Sequence, residues 1–427
     1  MPDESRELEI MANAALNQEA VPRIDLRSVV TLFVSLGAMF LFFYLRNWWV
    51  GFFHRHPEEI YLLLVSAFAG AIAFAWVRFE TFPRMFSVLT RATAIGIFVY
   101  LAVEPPEFTL ANPKQTNLMT YVDRAYWPAL IASFVSIWRP SFIFPAAFYA
   151  ISTRHVAEAI SGFPLSDLDI KYMMEMGQFL SLCCCGLAVL HLVRKRVKTV
   201  ADTLDINTIA FCLAFIALGF HLGNYFWSGY EKLVIGPQLW SWAWENQTQN
   251  MMVTALKKGV LPSGASPYLT QVMFDSFGHV VRASNIFVVA VQLFAVIAVL
   301  RPRWLVLSAL AYDAFHIGIY VFGGLFFWPW IWNNGSIILA ARYGKVNWLP
   351  KACCVITVLL GYSSSLGGSA RLAWFDVLDV KISSIQAEDL SGKWVEVPVS
   401  FFLSHSYAMS HGYYNNVSES GHYAPTI

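Results

Sequence analysis

Long apolar runs separated by short polar joints dominate this chain from Val29 to Leu366. Eight runs stand out: Val29–Leu45, Ile60–Trp76, Ala92–Val103, Met173–Val193, Ile206–Tyr230, Ala283–Leu300, Trp304–Phe326 and Ala352–Leu366. A helix needs ~20 mostly apolar residues to cross the ~30 Å hydrocarbon core, and most of these runs approach that length. A ninth, Tyr126–Ile151, is long but is interrupted midway by Arg139-Pro140, and each half alone is short for a crossing. A tenth, 327–341, opens with Phe327-Trp328-Pro329-Trp330 and is borderline.

Charge arbitrates the ambiguous run. Lys and Arg gather on cytoplasmic loops, and the basic loops here are Arg78–Arg91, Arg194–Lys198 and Arg301–Arg303. The segments 46–59, 104–123 and 153–170 are poorer in basic residues. Keeping all three basic loops inside demands an even number of crossings between residues 104 and 170. Tyr126–Ile151 is therefore predicted to be a bent helical hairpin or re-entrant pair, turning at Arg139-Pro140. The same count places residues 231–282 outside as one long loop, with Trp240, Trp242, Trp244 as interface anchors. If 327–341 crosses, Arg342, Lys345 and Lys351 lie inside and the tail outside.

The ends differ from the middle. Residues 1–26 carry Asp3, Glu4, Glu7, Glu9 and Glu19 ahead of any apolar run, unlike the basic start of a signal peptide. They read as a cytoplasmic arm before a retained anchor. Residues 375–400 alternate apolar and polar positions around Asp389-Leu390-Ser391-Gly392, a β-hairpin signal. The predicted fold is an all-α polytopic membrane protein: a bundle of about 9–11 transmembrane helices with a small C-terminal extramembrane segment. Its expected parts are an arm (1–26), a helical domain (27–368) and a tail (369–427).

Composition agrees. Only 13% of residues are charged and 57% are hydrophobic, against roughly 25% charged in soluble domains. The net charge of +1, with no extended basic tract, gives nucleic acid no footing, and the lipid bilayer is the partner this composition implies. Cys183, Cys184, Cys185, Cys212, Cys353 and Cys354 all sit in apolar runs. They read as reduced structural thiols, since no His or acidic residue stands at ligand spacing beside the triplet. His54 and His56 flank Arg55 in a predicted loop, with no third metal ligand near in sequence. Asn246, Asn334 and Asn416 head glycosylation sequons, which matter only in a source that glycosylates.

Ionisable residues inside apolar helices are expensive and mark candidate function. The stretch His221–Leu233 is the richest. His221, Asn224, Ser228 and Lys232 follow one another at three- and four-residue steps and share a helical stripe, with Tyr225 on the adjacent row. A lysine amine held in a dry pocket is a candidate general base, while a helix-end lysine that merely snorkels to water is the plain alternative. The second cluster is Tyr312-Asp313-Ala314-Phe315-His316. Asp313 and His316 are i, i+3 neighbours, so the carboxylate can orient the ring; a helix-packing pair is the alternative. Gly318, Gly323 and Gly324 are expected to permit close helix contact.

Asn224-Tyr225-Phe226-Trp227-Ser228-Gly229-Tyr230-Glu231-Lys232-Leu233, followed by Ser241-Trp242, resembles the Tyr-Phe-x-x-Gly-x-x-Lys-Leu motif of the horizontally transferred transmembrane (HTTM) domain. That domain is the membrane part of vitamin K-dependent γ-glutamyl carboxylase-like proteins. Phe315-His316, running on to Gly323-Gly324 and Trp328-Pro329-Trp330, is similar to the family's second signature. The match covers mainly residues 206–341. The resemblance implies a helical bundle in the inner membrane of a bacterial cell, N-terminus cytoplasmic. It implies a lipophilic, quinone-like cofactor, with Lys232 as the reacting base and His316 as its catalytic partner in the pocket. His221, Asn224, Tyr225 and Asp313 would then be substrate-binding residues. Where the carboxylases carry a large lumenal domain, this chain has only 369–427. Two other functions stay open: a transporter or export and maturation partner with a path along His221, Asp313 and His316, and an accessory subunit packed against a membrane protein partner.

Overall fold

A helix starts where a short polar side chain or a proline can deal with its first N–H groups, and this chain supplies both. The structure is a computed structural model that describes residues 25–56, 59–103, 116–161, 171–197, 204–252, 267–324, 326–344, 347–363, 369, 380–382, 386–397 and 414–416. Its helices are α1 (Leu26–Arg55), α2 (Ile60–Ala73), α3 (Arg84–Val103), α4 (Thr116–Ser136), α5 (Ile143–Ser161), α6 (Lys171–Arg196) and α7 (Ile206–Val234). They continue as α8 (Ser241–Glu245), α9 (Pro267–Leu293), α10 (Ala295–Ala298), α11 (Pro302–Gly323), α12 (Trp328–Ala341) and α13 (Trp348–Leu360). Asp25 caps α1 by accepting from the Ser28 N–H (2.8 Å), and Asp205 caps α7 through the Asn207 N–H (3.1 Å). Pro302 and Pro329 stand in the first turns of α11 and α12, where a missing N–H costs nothing.

Six helices, α1, α3, α6, α7, α9 and α11, are long and apolar enough to cross a bilayer, and α2 and α13 are shorter apolar helices. The protein is an integral membrane protein. Helix α7 is the axis of the bundle: 72% of its apolar window is buried, against 28% for α1, α9 and α11. Around it pack α1, α3, α6, α9 and α13. Glycine sets the closest of these approaches. A Cβ on Gly219 would stand 2.6 Å from the Thr357 Cβ and 2.9 Å from the Cys354 carbonyl, so α13 can lie on α7 only because residue 219 has no side chain. Trp227 Nε1 then donates to the Val358 carbonyl (2.7 Å). Arg46 on α1 and Glu175 on α6 neutralise each other at 2.6 Å inside the bundle, as intramembrane charges must.

The Arg139-Pro140 interruption is a turn. Helices α4 and α5 meet there through the short 3-10 segment Pro140–Phe142 and pack as a hairpin, with the Tyr149 hydroxyl donating to the Val122 carbonyl (2.9 Å). Helix α12 spans 14 residues, about 21 Å at 1.5 Å per residue, which is shorter than the hydrocarbon core.

Two expectations need correction. The connection after α7 is shorter than 231–282, because α7 runs to Val234 and α9 already begins at Pro267. The apolar run recognised from Ala283 is the second half of a 27-residue helix whose first half is too polar to register as a span. Of the three tryptophans, Trp240 and Trp244 are exposed as interface anchors would be, but Trp242 is buried at 2%.

The tail holds β1 (Val380–Ile382), β2 (Gln386–Glu388), β3 (Trp394–Glu396) and β4 (Tyr414–Asn416). Strands β2 and β3 form the expected antiparallel hairpin, with Glu388 opposite Trp394, and β1 pairs with β4. Asp389 holds the turn by accepting from the Ser391 and Lys393 N–H groups (2.8 and 2.9 Å). These bonds to the ionised carboxylate hold it below its ordinary pKa, the Ser391 contacts contributing most. The arm 1–24, Lys257, Lys258, Lys345 and most of 404–427 lie outside the described residues.

Candidate functional site

The two polar clusters of the sequence meet on one face of α7 and then diverge. Midway along the helix, His221 and Tyr225 face α11 and α12, and the side chain that joins them is Asn334. Its Oδ1 lies 2.8 Å from His221 Nε2. Its Nδ2 donates to Asp313 Oδ1 (2.8 Å) and to the Tyr225 hydroxyl (3.0 Å). The Tyr225 hydroxyl in turn lies 2.9 Å from His316 Nε2. The shorter contacts fit one proton arrangement: Asn334 donates to Tyr225, and Tyr225 donates to His316. His316 then carries its ring proton on Nδ1, an atom with no hydrogen-bond partner among the described residues.

Aromatic rings seal this knot. Tyr312 stacks on Tyr225 with centroids 3.7 Å apart and planes 8° apart. Trp330 lies within 6 Å of the rings of His221, Tyr225, His316 and also Tyr172 of α6. His221, Tyr225, His316 and Asn334 are all buried, and Asp313 is half-buried. The hydrogen bond anticipated between Asp313 and His316 is replaced by a relay through Asn334 and Tyr225, because the Asn334 amide from α12 takes the Asp313 carboxylate. Asn224, also fully buried, bonds back to the Phe220 carbonyl of its own helix (2.9 Å).

Lys232 lies seven residues beyond Tyr225, about 10 Å along the helix axis. It is 2% exposed, so it is no snorkelling interface lysine. Its Nζ donates to the Ser228 carbonyl (3.3 Å) and sits 5.6 Å from the centre of the Trp242 ring. Trp242 reaches it because the chain reverses after α7 through a left-handed Trp240 (φ 73°), which starts α8 and folds it back on α9. Together α7, α8, α9 and α11 enclose a cavity of about 210 Å³. Among the described residues Lys232 is the one ionisable group on its wall; most of the rest is Trp242, Phe277, Phe287, Phe315, Phe322 and aliphatic side chains. Thr248 and Asn285 add polar atoms, but these bond to each other (2.7 Å).

The structure thus gathers His221, Tyr225, Asp313 and His316 in one place and sets Lys232 apart in another. Sequence reading missed Asn334, which had registered only as a sequon; its complete burial inside α12 hides it from any glycosylating enzyme. The signal available was an Asn333-Asn334 pair in an apolar stretch, a costly placement that demands partners. Gly318 is not a close helix contact: a Cβ there meets no described atom within 4 Å, and the residue lines the cavity. Gly323 abuts the Met251 side chain instead, and Gly324 takes the left-handed conformation (φ 67°) that ends α11. Among the described residues no group of three or more His, Cys, Asp or Glu side chains gathers as a metal set. No protein-family model, no curated protein and no solved structure matches this chain.

Proposed function

We propose that the chain is an HTTM-type membrane protein that binds a lipophilic, quinone-like molecule in the Lys232 cavity and acts on it there, with Lys232 as base. The observation that carries this reading is the placement of a buried primary amine on the wall of a mostly apolar hollow. A charge-bearing group is not kept in such a place for packing, since a methionine would fill the space at less cost. The motif positions agree with the reading. Lys232 is the motif lysine, and Phe315, next to His316, lines the same cavity. His316 does not line the cavity itself. It belongs to the knot that fixes α11 against α7, with an Nδ1 that has no described partner. His221, Tyr225 and Asp313, joined through Asn334, then hold the two helices that carry the cavity wall. On this reading the positive-inside pattern of the basic loops supports an extracytoplasmic position for this end of α7, in the bacterial inner membrane that the resemblance implies.

The test is mass spectrometry of lipophiles that co-purify with the wild type in mild detergent, beside Lys232→Met. A quinone or related lipid retained by the wild type, and reduced at least tenfold in the variant, is the expected result. Equal retention by both proteins, or none by either, would remove Lys232 from any ligand site and favour an accessory-subunit role.

A further inference from the structure

The cavity is covered on one side and open on another. Its cover is α8 and the 3-10 turn Thr248–Asn250, over which Trp242 and Met252 are buried. Two hydrogen bonds pin that cover to α9, Thr248 Oγ1 to Asn285 Oδ1 (2.7 Å) and Asn285 Nδ2 to the Asn246 carbonyl (2.9 Å), and a third, Asn246 Nδ2 to Thr248 Oγ1 (2.8 Å), braces the cover itself. The side chains of Asn246, Thr248 and Asn285 are thereby occupied with one another. This segment follows the end of α7 and packs on α9, so it covers the cavity at that end of the bundle.

Two other lining residues reach the molecular surface: Phe287 of α9, 52% exposed, and Ala314 of α11. Both belong to helices that are candidate membrane spans, and both lie in the apolar stretches of those helices, where an exposed side chain meets hydrocarbon. One turn along α11 from Ala314 is Gly318, on the cavity wall and with no described atom within 4 Å of where its Cβ would be. The gap between α9 and α11 is therefore open at the one wall position that has no side chain.

We propose that the ligand of this cavity enters sideways from the bilayer, between α9 and α11 and across Gly318, and that it is a lipophile with an acidic hydroxyl or carboxyl head. This rests on the reading that the Lys232 cavity is the ligand site. The head is set by Lys232, whose amine can form charge-assisted hydrogen bonds to an acidic oxygen. The cavity of about 210 Å³ takes the head, while the tail stays in the gap beside Phe287.

Gly318→Cys in the full chain, reconstituted in phosphatidylcholine vesicles, tests the route. Its thiol is offered a membrane-dissolved pyrene maleimide and, separately, a charged methanethiosulfonate supplied on both sides. Wild-type labelling of the six native cysteines is subtracted, and Ser391→Cys on the exposed hairpin turn serves as the water-facing reference. The expected ratio of lipid-phase to water-phase labelling at position 318 is at least tenfold above that at position 391. A ratio equal to the reference would show a cavity open to water, and no labelling by the maleimide would show a closed wall; either overturns the lateral route. The two readings fail separately. Lateral labelling with unchanged lipophile retention in Lys232→Met removes the base and keeps the route, and the converse pair of results removes the route alone.

Discussion

Two polar regions share α7, one filled and one hollow. Around Asn334 the side chains of three helices bond one another at 2.8–3.0 Å beneath a stacked tyrosine pair. Two turns on, Lys232 stands on the wall of a cavity of about 210 Å³. Both regions hold the ionisable groups that a membrane interior penalises, yet they answer the penalty differently. The first satisfies most of its groups with one another, His316 Nδ1 excepted, and so joins helices. The second sets a lysine, bonded to the Ser228 carbonyl, on the wall of a mostly apolar cavity. Intramembrane polarity thus marks function only where it comes with volume.

The sharpest way to break this comparison is to measure stability on both sides of it. Asn334→Ala leaves His221, Asp313 and Tyr225 without their shared partner. Unpaired buried polar groups cost about 1–3 kcal/mol each, while interhelical hydrogen bonds in membranes average nearer 0.6. A loss of about 3 kcal/mol lies between those bounds for three groups. Lys232→Met removes a buried charge and keeps an apolar side chain of similar length, a change expected to be neutral or stabilising. Denaturation in mixed micelles checks both variants. If Lys232→Met unfolds the protein as readily as Asn334→Ala does, the lysine is a packing element and the contrast collapses.

A second pair sharpens the picture through glycine. Gly229 on α7 is pressed on α9, where a Cβ would meet the Gln292 Cβ at 2.8 Å and the Leu293 backbone nitrogen at 3.1 Å. Gly229→Ala should therefore cost about 1–3 kcal/mol by overpacking. Gly318→Ala meets no described atom and should gain up to about 1 kcal/mol from the lower helix-forming cost of alanine. The same denaturation curves report both. A destabilised Gly318→Ala would mean that the wall of the cavity is closed in solution.

How much of this the chain announces depends on the range of the interaction. Apolar runs and basic loops are local, and they reveal the helical membrane fold and the hairpin at Arg139-Pro140. Cap residues are also local, as Asp205 shows. The knot is not. Asn334 lies 113 residues from His221 and 109 from Tyr225 in sequence, so no spacing rule could join them, and its sequon pattern pointed to the surface. Gly318 and Gly219 look alike in apolar helices, and only the neighbouring helix decides which is a contact and which a vacancy. The first half of α9 escaped because its polar residues mask a helix behind the composition of a loop. Lys232 was legible as a residue of interest through its motif, but its burial depended on α8 folding back over it, which no local pattern revealed.

The smallest expected effect lies outside the membrane, in the β2–β3 hairpin, and it tests whether the tail is independent of either polar region. Asp389 is fully exposed, and its carboxylate is held below the ordinary value of 3.8, chiefly by the Ser391 side chain and then by the Lys393 and Ser391 N–H groups. A carboxyl whose folded pKa is depressed contributes stability that is complete above its unfolded pKa and is lost as pH falls through the folded one. The turn should therefore be intact at neutral pH and loosen only below about pH 4. Asp389→Asn should loosen it at every pH, since an amide oxygen is a weaker acceptor than a carboxylate. Amide-exchange protection at Ser391 and Lys393, taken relative to the intrinsic rate at each pH, is the measurement, with lower protection expected in acid for the wild type and no further acid dependence of the turn in the variant. Lipophile retention should be the same in both, because the hairpin contributes no side chain to the Lys232 cavity; a change in retention would tie the tail to the membrane site.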